Sequence, residues 1–402
     1  MKKRDVTIYY GISMATYSIG YVALSAFSSL FLLDIGLSNG GIGILLAVAS
    51  FLSVLFQPIV GQLIDHNPKV SSKLVLLSLG AMIMLTGISL IIGTGLPMMV
   101  KTLIYGLANM LLMLAQPFYN ALGVDAINHG YGINLGIGRS LGSGGYALGS
   151  YGVGYLSVMF GPKCIPVIFT TTFFLLAVVL FLYPVKTEKD EKMLSEDRLS
   201  GKDREKKENP FLFLLRYKQF AVILLGLICV YFSHSLINTF ALQIVLQKGG
   251  TSQDMGTASA IAACCELVTA IFFVQYMKVL KLSTILKIST IFFVLKTLFS
   301  LLVTSVTGFF LIQSLQMFGW GFLSVGIVYY VNNLMGDNDK AQGQAYAGMS
   351  YTIACVLATS LGGNLIDLFG VNTMLGVGTG SAVIGMMILW FSVKNTQTVT
   401  KE

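Results

Sequence analysis

KTEKDEKMLSEDRLSGKDREKKENP, residues 186–210, holds sixteen of the chain's forty-four charged residues, eight of each sign. No apolar period runs through it, so it reads as a solvated linker. The rest of the chain has a different character. Across all 402 residues the composition is 55% hydrophobic and only 11% charged, with a mean hydropathy of +0.77. Soluble domains carry about a quarter charged residues, so water is not the main solvent of this protein. Working outward from the linker, apolar runs of about twenty residues recur in both directions, each long enough to cross a hydrocarbon core of roughly 30 Å. Runs of this length mean helices, because barrel strands would be about half as long.

The apolar runs and polar breaks give twelve spans: 9–33, 41–64, 74–95, 98–124, 134–160 and 164–185, then 212–246, 254–280, 282–304, 307–335, 342–369 and 372–394. The expected fold is an all-α membrane protein with twelve transmembrane helices in two pseudo-symmetric six-helix bundles. The bundles are expected over 1–185 and 212–402, joined by a charged cytoplasmic linker over 186–211. The first run is too long for a signal-peptide core and lacks a clear small-residue cleavage site, so it reads as a retained helix.

The net charge of +8 would suit nucleic acid in a soluble protein, but in a membrane protein excess Lys and Arg sets orientation. Basic residues lie at the N-terminus, after span two (Lys69, Lys73), after span eight (Lys278, Lys281) and at the C-terminus. The alternate loops DIGLSNGG, GTGLP and TSVTG have none. Both termini and the linker are therefore expected on the cytoplasmic side of the cell membrane. The five cysteines (Cys164, Cys229, Cys264, Cys265 and Cys355) have neither disulfide nor metal spacing, and read as small core residues.

The two halves echo each other. Gly61-Gln-Leu-Ile-Asp65 closes span two, and Gly363-Asn-Leu-Ile-Asp367 closes span eleven. Paired six-helix halves around a midplane site suit alternating access.

Ionisable groups inside apolar runs each cost several kcal/mol unless paired or hydrated. Few qualify: Arg139, His234, Glu266 and Lys296, with Asp125 near the end of span four. In span five, GRSLGSGGYALGS (residues 138–150), Gly138, Gly142, Gly145, Gly149 and Gly152 form one helical stripe that lets a neighbour approach closely. Arg139, Ser143, Tyr146 and Ser150 repeat the spacing on the adjacent face. A guanidinium fork can grip vicinal oxygens, and an aromatic face can stack on a pyranose ring. The competing reading leaves Arg139 at the cytoplasmic helix end, paired with Asp125 or lipid phosphate.

Glu266 shares its face with Ser259, Thr269 and Phe273, and Lys296 lies equally deep on the next span. Opposite charges at similar depth suggest mutual neutralisation, either functional or as a purely structural ion pair. Polar stripes also run along span four (Tyr105, Asn109, Gln116, Asn120), span seven (Tyr231, His234, Asn238) and span ten (Gln313, Gln316, Trp320, Ser324). Amides, hydroxyls and aromatics suit a neutral, oxygen-rich solute, and any single stripe equally suits helix–helix glue. No H-E-x-x-H, Cys/His metal cluster or G-x-S-x-G occurs. An enzyme, a metal site and a cofactor are not expected.

These residues resemble the major facilitator superfamily and, within it, the lactose-permease-like oligosaccharide:proton symporters. LFQPIVGQLID (residues 55–65) is similar to the superfamily's gating-loop motif, which falls on Gly61 and Asp65, although His66 stands where a basic residue usually follows. GRSLGSGGYALGS resembles the helix-five segment whose arginine binds sugar hydroxyls and whose aromatic stacks on the ring; Arg139 and Tyr146 match. CELVTAIFF is similar to the helix-eight segment with the sugar-binding acid, here Glu266. Lys296 matches an arginine position in lactose permease. Asn120 stands where that permease has a glutamate, and Gln316 and Gly319 replace its helix-ten histidine and proton-carrying glutamate.

The expectation is a secondary transporter that imports a sugar or oligosaccharide with protons, working as a monomer in the lipid bilayer. Its solute contacts would be Arg139, Ser143, Tyr146, Gln116, Asn120, His234, Asn238, Glu266, Thr269, Gln316 and Trp320. Glu266 and Lys296 would couple the proton. A nucleoside or other polar solute and multidrug efflux are the alternatives.

Overall fold

The computed structural model describes residues 5–67, 70–183, 210–336 and 339–394, without the side chains of Asp65, Asn128 and residues 210–212. Nearly all of the charged linker expected over 186–211 lies outside the described residues, as does Lys69. Every named element is helical. The chain divides into two compact units, one of residues 1–37 and 48–209, the other of residues 38–47 and 210–402. The division after 209 falls at the end of the charged segment. Assignment of residues 38–47 to the second unit was not legible in the sequence.

The first unit contains α1 (Thr7–Tyr21), α2 (Ser28–Asp34), most of α3 (Asn39–His66), α4 (Ser72–Ile92), α5 (Met98–Asn128), α6 (Leu135–Phe160) and α7 (Cys164–Leu182). Ser71 caps α4 by accepting from the Leu74 amide, and Asn134 caps α6 by accepting from the Ile137 amide, each satisfying an orphan first-turn donor. Between α1 and α2 a π-helical turn, Val22–Ala26, widens the backbone, and the chain bends by 40° there. A side-chain pair on α5 meets that irregularity. Tyr105 Oη and Asn109 Nδ2 both donate to the Leu24 carbonyl, at 2.8 and 2.9 Å. Deep in a bilayer such a carbonyl needs a protein donor.

The second unit contains α8 (Pro210–Arg216), α9 (Lys218–Thr239), α10 (Ala241–Gln247), α11 (Ser252–Val279), α12 (Leu282–Leu302), α13 (Val306–Gln313), α14 (Trp320–Leu334), α15 (Lys340–Phe369) and α16 (Val371–Ser392). A capping box opens α11: Thr251 accepts from the Asp254 amide, while the Asp254 carboxylate accepts from the Thr251 amide. Helix α9 is the most enclosed, packed between α15 and α16.

Among the described residues, ten helices are long and apolar enough to span a membrane, or eleven when the bent pair around residue 27 counts as one span. The twelve expected from the sequence exceed this by one. Helix α6 accounts for the difference. It has 26 residues, yet its glycines, serines and tyrosines make it less apolar than the ten. Phe181 and Phe391, 79% and 86% exposed, stand for the large outward apolar faces that only lipid can cover.

The glycine stripe of α6 packs on α1. A Cβ added at Gly145 would lie 2.5 Å from the Ala15 carbonyl oxygen, and one at Gly149 would lie 3.1 Å from the Ile19 Cα. At Gly138 it would overlap the Tyr10 ring, whereas at Gly152 it would meet nothing. Gly145→Ala therefore forces two backbones apart and is expected to cost about 1–3 kcal/mol. Gly152→Ala should be near neutral, as thermal unfolding of the detergent-solubilised protein will show.

Candidate functional site

The expected single span 307–335 is found as Val306–Leu334, with its α-helix interrupted midway. Helix α13 ends at Gln313, a 3₁₀ turn runs Ser314–Met317, and α14 begins only at Trp320. Gly319, at φ −77° and ψ −91°, leaves helical geometry at the interruption. Neighbouring helices satisfy the irregular backbone: Thr269 Oγ1 on α11 donates to the Met317 carbonyl at 2.7 Å, and Ser289 Oγ on α12 donates to the Gly319 carbonyl at 3.0 Å. Discontinuous helices at membrane depth are tolerated under such conditions, and often form transporter binding sites.

The break brings a polar group together inside the second unit. Lys296 Nζ donates to Gln316 Oε1 at 2.5 Å, and Trp320 Nε1 donates to Glu266 Oε1 at 3.1 Å. The His234 ring stacks on the Trp320 indole, with centroids 4.4 Å apart and planes 11° apart. Asn238 Nδ2 and His234 Nε2 are hydrogen-bonded at 2.8 Å, and His234 Nδ1 is buried without a hydrogen-bond partner among the described residues. Tyr231 and Tyr351 lie 5.8 and 5.3 Å from the same indole.

The mutual neutralisation expected of Glu266 and Lys296 takes a different form. They interact electrostatically but make no ion pair, because the helix break places a neutral amide beside the amine and an indole N–H beside the carboxylate. Lys296 is 3% exposed, and Gln316 supplies its hydrogen-bond acceptor. Glu266 is half-buried, with its second oxygen uncommitted. The Thr269 hydroxyl, expected on the solute, is fully buried and committed to the Met317 carbonyl.

In the first unit Arg139 is the fifth residue of α6, exposed and interacting with Tyr10 on α1. Arg139 and Asp125 form no ion pair. The partner of the guanidinium is Tyr10 on α1 rather than Asp125 at the end of α5. Farther along the stripe Ser143 and Tyr146 are half-buried, and the buried Ser150 hydroxyl has no hydrogen-bond partner among the described residues. Tyr146 begins a series of rings: Tyr21 at 6.3 Å, Tyr17 at 6.4 Å from Tyr21, and Tyr119 at 4.1 Å from Tyr17. Gln116 and Asn120 on α5 are exposed, separated in role from Tyr105 and Asn109, which brace the α1 bend. Gly61 has no neighbour within 4 Å of an added Cβ, and the Asp65 side chain lies outside the described residues.

The Lys296–Gln316 bond and Tyr351 escaped the sequence reading. The paired glycines around Trp320 in FGWG are a legible signal for a break. Tyr351, one of three aromatics in span eleven, gives none.

Residues 14–395 match the model of the family described as the MFS_1 like family. Among solved structures, the nucleoside transporter NupG is similar at a TM-score of 0.77 and 12% identity, covering 98% of this chain and 100% of that one. A point mutant of the same transporter is similar at a TM-score of 0.76 and 13% identity, covering 96% and 100%. At such identities the likeness is one of fold. No curated protein matches the chain by sequence.

Proposed function

This chain belongs to the MFS_1 like family, within the major facilitator superfamily, and from that premise we propose that it imports a sugar or oligosaccharide with a proton by alternating access. The family and the apolar helices make it a multi-pass membrane transporter. The observation that carries the finer reading is the Glu266 carboxylate, held by the Trp320 indole with one oxygen uncommitted and aromatic rings alongside. A pyranose has hydroxyls for such an acceptor and a C–H face for such rings. The exposed Arg139, Gln116 and Asn120 of the first unit are donors of the kind that sugar oxygens accept.

Helix α6 completes the count as the twelfth span, since 26 residues reach about 39 Å at 1.5 Å per residue. With the basic loops on the cytoplasmic side, both termini face the cytoplasm, and the protein works as a monomer in the cell membrane.

Purified protein in liposomes, given an inside-alkaline pH gradient, is expected to accumulate radiolabelled oligosaccharide and to lose it on addition of a protonophore. Failure to accumulate any sugar would overturn the reading. A nucleoside is the second reading, favoured by the flat His234 ring seated on Trp320 and by the fold likeness to NupG. Competition by uridine rather than by lactose would establish it. The charged and amide side chains named above disfavour apolar drugs.

A further inference from the structure

The rings gathered around Trp320 in the second unit are not equivalent. His234 and Tyr231 are 3% and 4% exposed. Trp320 has its N–H committed to Glu266 and one indole face covered by the nearly parallel His234 ring. A solute that stacks needs an accessible ring face, and these three residues offer little. Tyr351 on α15 differs. It touches both Tyr231 and Trp320, each at a centroid distance of 5.3 Å, yet it is 36% exposed.

The Tyr351 ring is held in place before any solute arrives. Tyr231 meets it at 87° and Trp320 at 54°. Its hydroxyl engages Cys355 one turn later on α15, and Cys355 Sγ lies 3.2 Å from Ser235 Oγ on α9. A ring fixed in this way loses little freedom on binding. One turn earlier Gly348 is exposed, and a Cβ added there would meet nothing within 4 Å. The ring therefore stands beside open space, and Glu266 and Tyr351 contact the same indole.

We propose that Tyr351 is a specificity-determining residue of transport, the ring on which the solute lays its flat apolar face while a hydroxyl reaches the uncommitted Glu266 oxygen. The proposal rests on the reading of this polar group as the solute site. It assigns stacking to Tyr351 and leaves Trp320 to orient Glu266. The chemistry selected is a six-membered ring with an apolar face and hydroxyls within reach of an acid. A pyranose and a nucleoside both present such a face, and the test carries one of each.

Equilibrium dialysis of radiolabelled lactose and of radiolabelled uridine against the full-length, detergent-solubilised protein tests the assignment. Lactose affinity is expected to fall about tenfold in Tyr351→Ala and to stay within about twofold in Tyr351→Phe, which keeps the ring. Gly348→Leu keeps the ring but fills the space beside it, and should weaken binding similarly at an unchanged unfolding temperature. The chain has two tryptophans, so in a Trp390→Phe background the emission of Trp320 should shift when lactose arrives. Parent-like affinity in both Tyr351→Ala and Gly348→Leu would overturn the proposal. So would equal losses in Tyr351→Ala and Tyr351→Phe, which would make the hydroxyl the contact. Uridine binding that depends on Tyr351, with lactose unbound, would uphold the stacking residue and overturn the sugar reading. Lactose uptake by liposomes that survives Tyr351→Ala unaltered would do the reverse, and binding of neither solute to the parent would overturn both.

Discussion

Glu266→Gln is expected to abolish concentrative uptake while leaving downhill exchange of solute. The indole N–H of Trp320 can still be accepted by an amide oxygen, so the 3.1 Å bond and the aromatic group around it should persist. What the amide cannot do is carry a proton. No carboxylate stands on the broken span beside it, where Gln316 and Gly319 occupy the stretch, so within this unit's polar group Glu266 is the acid available for coupling. Coupling between two ligands is commonly worth 5–150-fold, and accumulation driven by a pH gradient should fall by about 100-fold. Counterflow at equal pH should stay within about threefold, because uniform solute binding is retained. Undiminished, pH-responsive accumulation in Glu266→Gln vesicles would remove Glu266 from the coupling step.

Gln316→Leu is expected to be among the most damaging single changes in the second unit, and Lys296→Met should rescue it. Lys296 is buried and its amine has Gln316 Oε1 as its hydrogen-bond acceptor. Removing that acceptor leaves a buried amine without its hydrogen bond, at a cost of about 1.5–3 kcal/mol. The double variant removes both polar groups. Well-packed apolar replacements of a buried polar pair are often neutral or stabilising by roughly 1–4 kcal/mol, so the double variant should unfold at or above the parent temperature. It should nonetheless fail to transport, because stability at such sites is exchanged for function. Thermal unfolding of the four proteins forms a double-mutant cycle. Additive losses would mean that the two side chains do not depend on each other.

The polar residues of the spans show where reading the sequence succeeds and where it stops. Arg139, Glu266, Lys296 and His234 stand out because an ionisable group is rare in an apolar run, and rarity is visible without coordinates. Their partners are not. Glu266 and Lys296 match in depth, which suggests a pair, but depth is one coordinate of three. Trp320, 54 positions from Glu266, and Gln316, 20 positions from Lys296, take those places once the span breaks. Tyr105 and Asn109 lie on the same stripe as Gln116 and Asn120, yet the first two brace the Leu24 carbonyl and the others stay exposed. The stripe records which side chains are polar, not which backbone irregularity lies opposite.

The sequence by itself determined the solvent and the helical class, and it marked a dense block of charge ahead of residue 210. These follow from local properties: apolar runs of membrane length, a single dense block of charge, and glycines at helical spacing. Tertiary structure alone decided that α1 and the α13–α14 span break, that Lys296 turns to Gln316, and that Asp367 caps a helix more than 300 residues away in sequence. The physical reason is that a polar group in an apolar medium must find a partner wherever one is within reach. Reach is set by the packing of helices, which the pattern along any one helix does not encode.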